Sequence, residues 1–255
     1  TEGNTDPIQF RRIIWDGSGS KFTTLPAPGE IKPPADSAYL HITSNETIGG
    51  IQWKQFPKVD VPIVADMSSD ILSRPLNISD FGLIYAGAQK NIGPAGVTMV
   101  IIREDLAEKG GANLPAYLRY KTHGDKDSLY NTPPVFSIYA VNKVLKWLKS
   151  NGGVEGIQKI NAGKSAVLYR SIDGNGDFYS CPVEKSVRSD MNVVFRLATE
   201  ELEKEFIAAS KAEGMLGLKG HRDVGGCRAS IYNAVPLSSV QALADFMDQF
   251  AKKKG

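Results

Sequence analysis

Leu83-Ile-Tyr-Ala-Gly-Ala-Gln-Lys-Asn-Ile-Gly-Pro-Ala-Gly96 carries the sharpest strand boundary in the chain. Leu83 to Ala86 is an apolar run of strand length, and it stops abruptly at Gln89, Lys90 and Asn91 before a loop punctuated by Gly93, Pro94 and Gly96. A lysine therefore stands at the end of a buried strand. In open α/β sheets ligands bind outside the carboxyl ends of strands, and a partly desolvated lysine there can serve as an amine nucleophile. Lys90 is accordingly a candidate Schiff-base lysine. Taken alone, it reads equally as a solvated lysine in a turn.

Working outward, two more short apolar runs end in chemically useful residues. Ala38-Tyr-Leu-His-Ile42 leads into the polar stretch Thr43-Ser-Asn-Glu-Thr47, and Val61-Pro-Ile-Val-Ala65 is followed directly by Asp66. A carboxylate at the end of a buried strand needs a cationic or N–H partner. If the three strands are parallel neighbours, Thr47, Asp66 and Lys90 converge on one sheet edge. Pyridoxal phosphate asks for such a set: a lysine to capture its aldehyde and an acid to keep its ring nitrogen protonated. Singly, Asp66 and Thr47 also read as turn or helix caps. Val97-Thr-Met-Val-Ile-Ile102 predicts a further buried strand.

Composition narrows the class. The 255 residues are 42% hydrophobic and 23% charged with a net charge of +2, a balance that points to neither nucleic acid nor an anionic membrane surface. No apolar run approaches membrane-spanning length, and Cys181 and Cys227 match no metal spacing, so a reduced, cytoplasmic setting is expected and no metal site. Lys252-Lys-Lys254 suits the end of a helix, where cations complement the dipole.

Further along, Ile138, Val141, Val144, Leu145 and Leu148 fall at helical spacing before Gly152-Gly153, with Trp147 read as packing. A second helix is expected over 154–171, then a turn at 173–176, a strand over 191–197, a helix over 200–213 with a solvated acidic face, a strand over 228–232, and a closing helix carrying Leu237, Val240, Leu243, Phe246 and Phe250. The front, 1–34, is polar and rich in Gly and Pro, with one possible short strand, Phe10-Arg-Arg-Ile-Ile-Trp15. The expected division is 1–150, the remainder of a large domain, and 151–255, a small α/β domain. His41 reads as a packed strand histidine, His123 as a loop residue, and Cys227 as a small buried filler.

Several of these segments carry a resemblance. Asn45-Glu-Thr47, Ala65-Asp-Met-Ser-Ser69, Ser73-Arg-Pro75, Tyr85 to Gly96, Leu129-Tyr-Asn-Thr-Pro-Pro134, Trp147-Leu-Lys-Ser-Asn-Gly-Gly153, Arg188-Ser-Asp-Met-Asn192, Leu218-Lys-Gly-His-Arg222 and Gly225-Gly-Cys-Arg-Ala-Ser-Ile-Tyr-Asn233 together resemble the phosphoserine aminotransferase family, in order from about Ala38 to the C-terminus. The resemblance implies the aspartate-aminotransferase-like fold of pyridoxal-phosphate transferases, a partial large domain with a mainly parallel sheet plus the small C-terminal domain. It implies that Lys90 forms the internal aldimine and moves the substrate proton, that Asp66 pairs with the ring nitrogen, that Thr47 bonds near the phenolic oxygen, and that Gln89 helps hold the phosphate. Asn131 and Thr132 match the pair that reaches the neighbouring subunit's cofactor phosphate, which implies a homodimer with shared active sites. Arg228, in Gly-Gly-x-Arg, matches the clamp for the substrate α-carboxylate, and His221 and Arg222 the pair for a substrate phosphate or the distal carboxylate of glutamate.

The implied reaction passes an amino group between L-glutamate and 3-phosphohydroxypyruvate, giving O-phosphoserine and 2-oxoglutarate. Family members carry more chain ahead of the equivalent of Ala38, including the glycine-rich phosphate loop and the aromatic residue that stacks on the ring. Trp15 and Trp53 lie in the wrong context for that role. Two alternatives follow: a truncated remnant that folds by association with another chain, and another enzyme of the same fold type such as a cysteine desulfurase, for which neither cysteine lies in a suitable loop.

Overall fold

The computed structural model describes residues 12–111 and 113–255. A four-stranded sheet occupies the first half, built from β1 (Leu40–Thr43), β4 (Ile63–Asp66), β5 (Leu83–Gly87) and β6 (Thr98–Ile102) in that spatial order. β1, β4 and β5 are parallel, and their register sets Thr43 beside Asp66 and Asp66 beside Tyr85. A small antiparallel pair, β2 (Asn45–Glu46) and β3 (Ile51–Gln52), follows β1.

Alternation fixes which side of this sheet is core. Leu40, Ile42, Ile63, Ala65, Ile84 and Ala86 point to one side, where Trp53, Met67, Ile71, Phe81 and Ile92 complete an apolar layer. His41, Thr43, Val64, Asp66, Tyr85 and Gly87 are half-buried or exposed. Parallel strands are ordinarily covered on both faces; here the second face, which carries Asp66, is open.

Beyond α1 (Glu104–Glu108) and α2 (Tyr120–Gly124), α3 (Val135–Ser150) and α4 (Gly153–Gly174) lead to a three-stranded antiparallel sheet of β7 (Tyr179–Ser180), β8 (Asn192–Leu197) and β9 (Cys227–Ser230). α5 (Glu200–Ala212) and α6 (Leu237–Lys254) close it. Its core is rich in aromatic edge-to-face contacts: Phe206 meets Phe195 at 5.5 Å and Phe250 at 5.3 Å between ring centroids. Thr199 caps α5 by accepting from the Leu202 N–H at 3.2 Å.

Several expectations are corrected. The strand at 97–102 is an antiparallel edge, with Val100 and Ile101 exposed, because the turn between it and β5 is too short for a parallel crossover. His41 is exposed, its ring on the open face of the sheet. His123 lies in α2, and Trp147, 38% accessible, is only partly packed. Asp173 and Gly174 belong to the last turn of α4. The acidic face of α5 is not all solvated, since Glu203 is buried against Arg196. Of the stretch 10–15, its first two residues lie outside the described ones and Arg12 to Trp15 are irregular. Cys227 is buried as expected.

Candidate active site

Lys90 sits in the turn after β5, where Ile92 and Gly93 return their N–H groups to the Ala88 carbonyl at 3.1 and 2.9 Å. Gly93 is required there: a Cβ on it would lie 2.6 Å from Val141 Cγ2 of α3. The half-buried Lys90 Nζ donates to Thr47 Oγ1 at 2.8 Å. On the other side of Thr47, Arg228 Nη1 from β9 donates to its carbonyl oxygen at 3.3 Å. The strand-end lysine and the Gly-Gly-x-Arg arginine therefore meet at one residue. The Arg228 Nε is buried and, among the described residues, has no hydrogen-bond partner. A buried guanidinium N–H left unsatisfied is costly, and its fork suits a carboxylate.

Asp66 closes β4, one strand from Lys90. Its Oδ1 accepts from the Ser68 N–H at 2.8 Å, and Ser68 Oγ in turn accepts from the Gly87 N–H at 3.1 Å. The Tyr85 hydroxyl meets His41 Nε2 at 3.0 Å, and Tyr85 stands beside Asp66 in the strand register. Burial first, then the neighbouring Asp66 charge, holds the Tyr85 hydroxyl above its ordinary pKa.

Among the described residues, the side chains of the remaining candidates make no hydrogen bond to Thr47, Lys90 or Arg228. Gln89 is exposed, with its amide folded over Gly87. Asn131 and Thr132 are exposed ahead of α3, and Asn131 Nδ2 donates to the Thr132 carbonyl at 3.0 Å. His221 and Arg222 both face Asp223 in the glycine-rich turn, at 3.3 and 3.5 Å, and among the described residues neither touches Thr47, Lys90 or Arg228. Gly225 and Gly226 have φ of +71° and +69°, so the doubled glycine before Arg228 supplies a backbone shape other residues adopt only under strain.

Tyr85 and Ser68 were not singled out from sequence, although both lie inside the quoted segments. A larger omission is the buried polar layer beneath Thr47. Asn45 Nδ2 donates to Ser69 Oγ at 2.8 Å and to Asn192 Oδ1 at 2.9 Å, and Asn45 Oδ1 accepts from Ser189 Oγ. The Asn45-Glu-Thr and Arg188-Ser-Asp-Met-Asn segments thereby lock β2 to β8.

Buried Asp70 is held by Ser44 Oγ and Gln52 Nε2, and burial raises its pKa against those donors and the Arg74 charge. Burial also pushes the Cys227 thiol up to about 12, which leaves it protonated and unsuited to the thiolate chemistry of a desulfurase. Among the described residues no group of His, Cys, Asp or Glu could hold a metal, and no helix is long and apolar enough to cross a membrane.

The chain matches the family "Aminotransferase class-V" over residues 29–243. Phosphoserine aminotransferase of Niallia circulans is 57% identical over 244 residues, which is 95% of this chain and 67% of that protein. The structure of phosphoserine aminotransferase from Bacillus circulans subsp. alkalophilus is similar with a TM-score of 0.94 at 55% identity, covering 96% of this chain and 68% of that one. The PLP-bound phosphoserine aminotransferase from Trichomonas vaginalis has a TM-score of 0.84 at 37% identity, covering 88% and 64%. The chain thus spans about two thirds of the length of the relatives it matches. It belongs to the class-V aminotransferase family, in the phosphoserine aminotransferase branch of that family.

Proposed function

We propose that this chain carries the transaminase site of a phosphoserine aminotransferase, exchanging an amino group between L-glutamate and 3-phosphohydroxypyruvate to give O-phosphoserine and 2-oxoglutarate in serine biosynthesis. The observation that carries the reading is the meeting of Lys90 and Arg228 at Thr47, an amine and a carboxylate clamp brought together from different sheets. The residues fit pyridoxal phosphate in kind. A lysine amine, a strand-end carboxylate and a buried guanidinium N–H without a partner match its aldehyde, its ring nitrogen and the carboxylate of its amino-acid substrate.

When bound, the cofactor supplies an aldehyde and a protonated ring that draws electrons from the substrate Cα. Asp66, steadied by the Ser68 N–H, would keep a proton on the ring nitrogen. Lys90, its amine aimed by Thr47, would be the residue that holds the cofactor through its aldehyde group and, once the substrate amine has taken its place, would carry the proton at the substrate Cα. Arg228 binds and orients the α-carboxylate. Gln89 would help hold the cofactor phosphate, and His221 and Arg222, drawn from Asp223, would take the distal anionic group of the substrate.

The same reading assigns Asn131 and Thr132 to the cofactor phosphate of a second copy in a cytoplasmic homodimer. It is supported by the exposed Val135 and Phe136 on the same segment, at 66% and 78% accessibility, an apolar surface that a partner would cover. The division near residue 150 is proposed on the two separate apolar cores. A second reading, in which additional polypeptide must cover the open sheet face before the cofactor is held, is favoured by the exposure of His41 and Thr43 beside Asp66. Steady-state transamination from glutamate to 3-phosphohydroxypyruvate is the test, with wild type and Lys90→Ala compared. Turnover lost on substitution supports the reading, and equal rates overturn it.

A further inference from the structure

Three consecutive carbonyl groups in the turn after β4 are each held by an asparagine from a different part of the chain. Asn91 Nδ2 donates to the Ile71 oxygen at 2.6 Å, Asn233 Nδ2 to the Leu72 oxygen at 3.0 Å, and Asn161 Nδ2 to the Ser73 oxygen at 3.2 Å. Asn233 also bonds to the other two: Asn91 Oδ1 accepts the Asn233 backbone N–H at 2.9 Å, and Asn161 Nδ2 donates to Asn233 Oδ1 at 2.8 Å. All three are buried, between 2% and 6% accessible. Leu72, at the centre, has φ of +56°, a left-handed conformation that a leucine adopts only when its surroundings impose it.

Three of the segments tied here lead to a residue of the candidate site, and the fourth, α4, braces them through Asn161. The turn runs on from Asp66 through the Ile71 N–H bond to the Met67 carbonyl at 2.8 Å. Asn91 follows Lys90. Asn233 stands a few residues beyond Arg228, on a stretch made stiff by Lys164, whose Nζ donates to the carbonyls of Ile231, Tyr232 and Val235 at 2.9, 2.7 and 3.1 Å. A primary amide offers both donors and an acceptor on a short stem, which is what a joint between three backbones needs and what aspartate or alanine lacks.

We infer that Asn91, Asn161 and Asn233 form a positioning clamp that fixes Arg228 relative to Lys90 and thereby sets the affinity for the substrate carboxylate, separately from cofactor loading. The inference rests on the functional reading above for the roles of Lys90 and Arg228. None of the three asparagines touches the reacting atoms, and their effect is transmitted through the backbone.

The test uses the whole chain with Asn91→Ala, read in two ways. Amide hydrogen exchange, with no ligand present, is expected to quicken about tenfold in 227–233 while α5 keeps its protection, the size of one lost buried hydrogen bond. With pyridoxal phosphate added, borohydride fixes the cofactor on Lys90 as fully as in wild type, whereas the glutamate concentration that half-bleaches the visible band rises about tenfold. Unchanged exchange and unchanged half-bleaching overturn the clamp, as does a uniform loss of protection that includes α5. Asn161→Ala, in a helix that accepts alanine, moves both readings in the same direction if Asn91→Ala does not fold, and its silence overturns the clamp. A wild type that takes up no cofactor counts against the functional reading, and the exchange measurement then decides the clamp alone.

Discussion

Lys90 Nζ donates to Thr47 Oγ1 at 2.8 Å across 43 residues of sequence, while the Thr47 carbonyl receives Arg228 at 3.3 Å. One residue thus serves the two cations by different atoms. Thr47→Val keeps the shape and the carbonyl and removes the hydroxyl. The expected outcome is intact cofactor uptake with kcat lowered about tenfold, the worth of one hydrogen bond of roughly 1.4 kcal/mol. An unchanged kcat would mean that Lys90 is aimed by something else.

Arg228→Lys keeps the charge and loses the fork. A lysine ammonium does not reproduce bidentate recognition of a carboxylate, so half-saturation by glutamate is expected to rise on the order of 30-fold, with cofactor loading unaffected. Titration of the visible band with glutamate measures it.

Glu203 joins α5 to the backbone ahead of Arg228. Its Oε1 accepts from Arg196 Nε at 2.6 Å, and its Oε2 accepts from the Gly226 N–H at 3.2 Å, both at a buried site. Glu203→Gln leaves one of these donors facing an amide N–H. A loss of ~2 kcal/mol, about 5 °C in Tm, is expected by calorimetry. Because the lesion lies beside the doubled glycine, glutamate affinity falls with it.

What could be read in advance was local. Apolar runs ending in Asp66 and Lys90 were legible because a strand boundary is written in a few neighbouring residues, as were α3 to α6 from their spacing. The antiparallel sense of β6 was also available, since the connection from β5 is shorter than a parallel crossover requires. His41 was misjudged because the pattern says which residues alternate but not whether the second face is covered. Glu203 looked like its solvated neighbours, and only the position of Arg196 on β8 buries it. The asparagine clamp joins residues 20 to 161 apart, beyond any local signal, although Asn91 and Asn233 both stand in the segments that carried the resemblance. Gln89 precedes Lys90 but turns its amide back over Gly87, and His221 and Arg222 pair with Asp223 rather than with Lys90.

Lys164 makes the stability of the fold depend on pH. It is fully buried, and desolvation lowers its pKa to about 8. An unfolded lysine keeps its proton to about 10.4. Between those values the unfolded state binds the extra proton, so raising the pH favours the folded state by at most about 1.4 kcal/mol per pH unit. The wild type should therefore gain Tm from pH 8 to 10 relative to Lys164→Met, which also leaves the carbonyls of Ile231, Tyr232 and Val235 without their donor. Parallel pH curves for the two proteins would show that the buried ammonium does not titrate in this range.

Lys90 is the residue expected to take the cofactor. Purified chain mixed with pyridoxal phosphate, reduced with borohydride and digested should yield one modified peptide carrying the label on Lys90, and the visible band should bleach when glutamate is added before reduction. Label on another lysine, or none on Lys90 while the band forms, would contradict the assignment of this strand end as the catalytic centre.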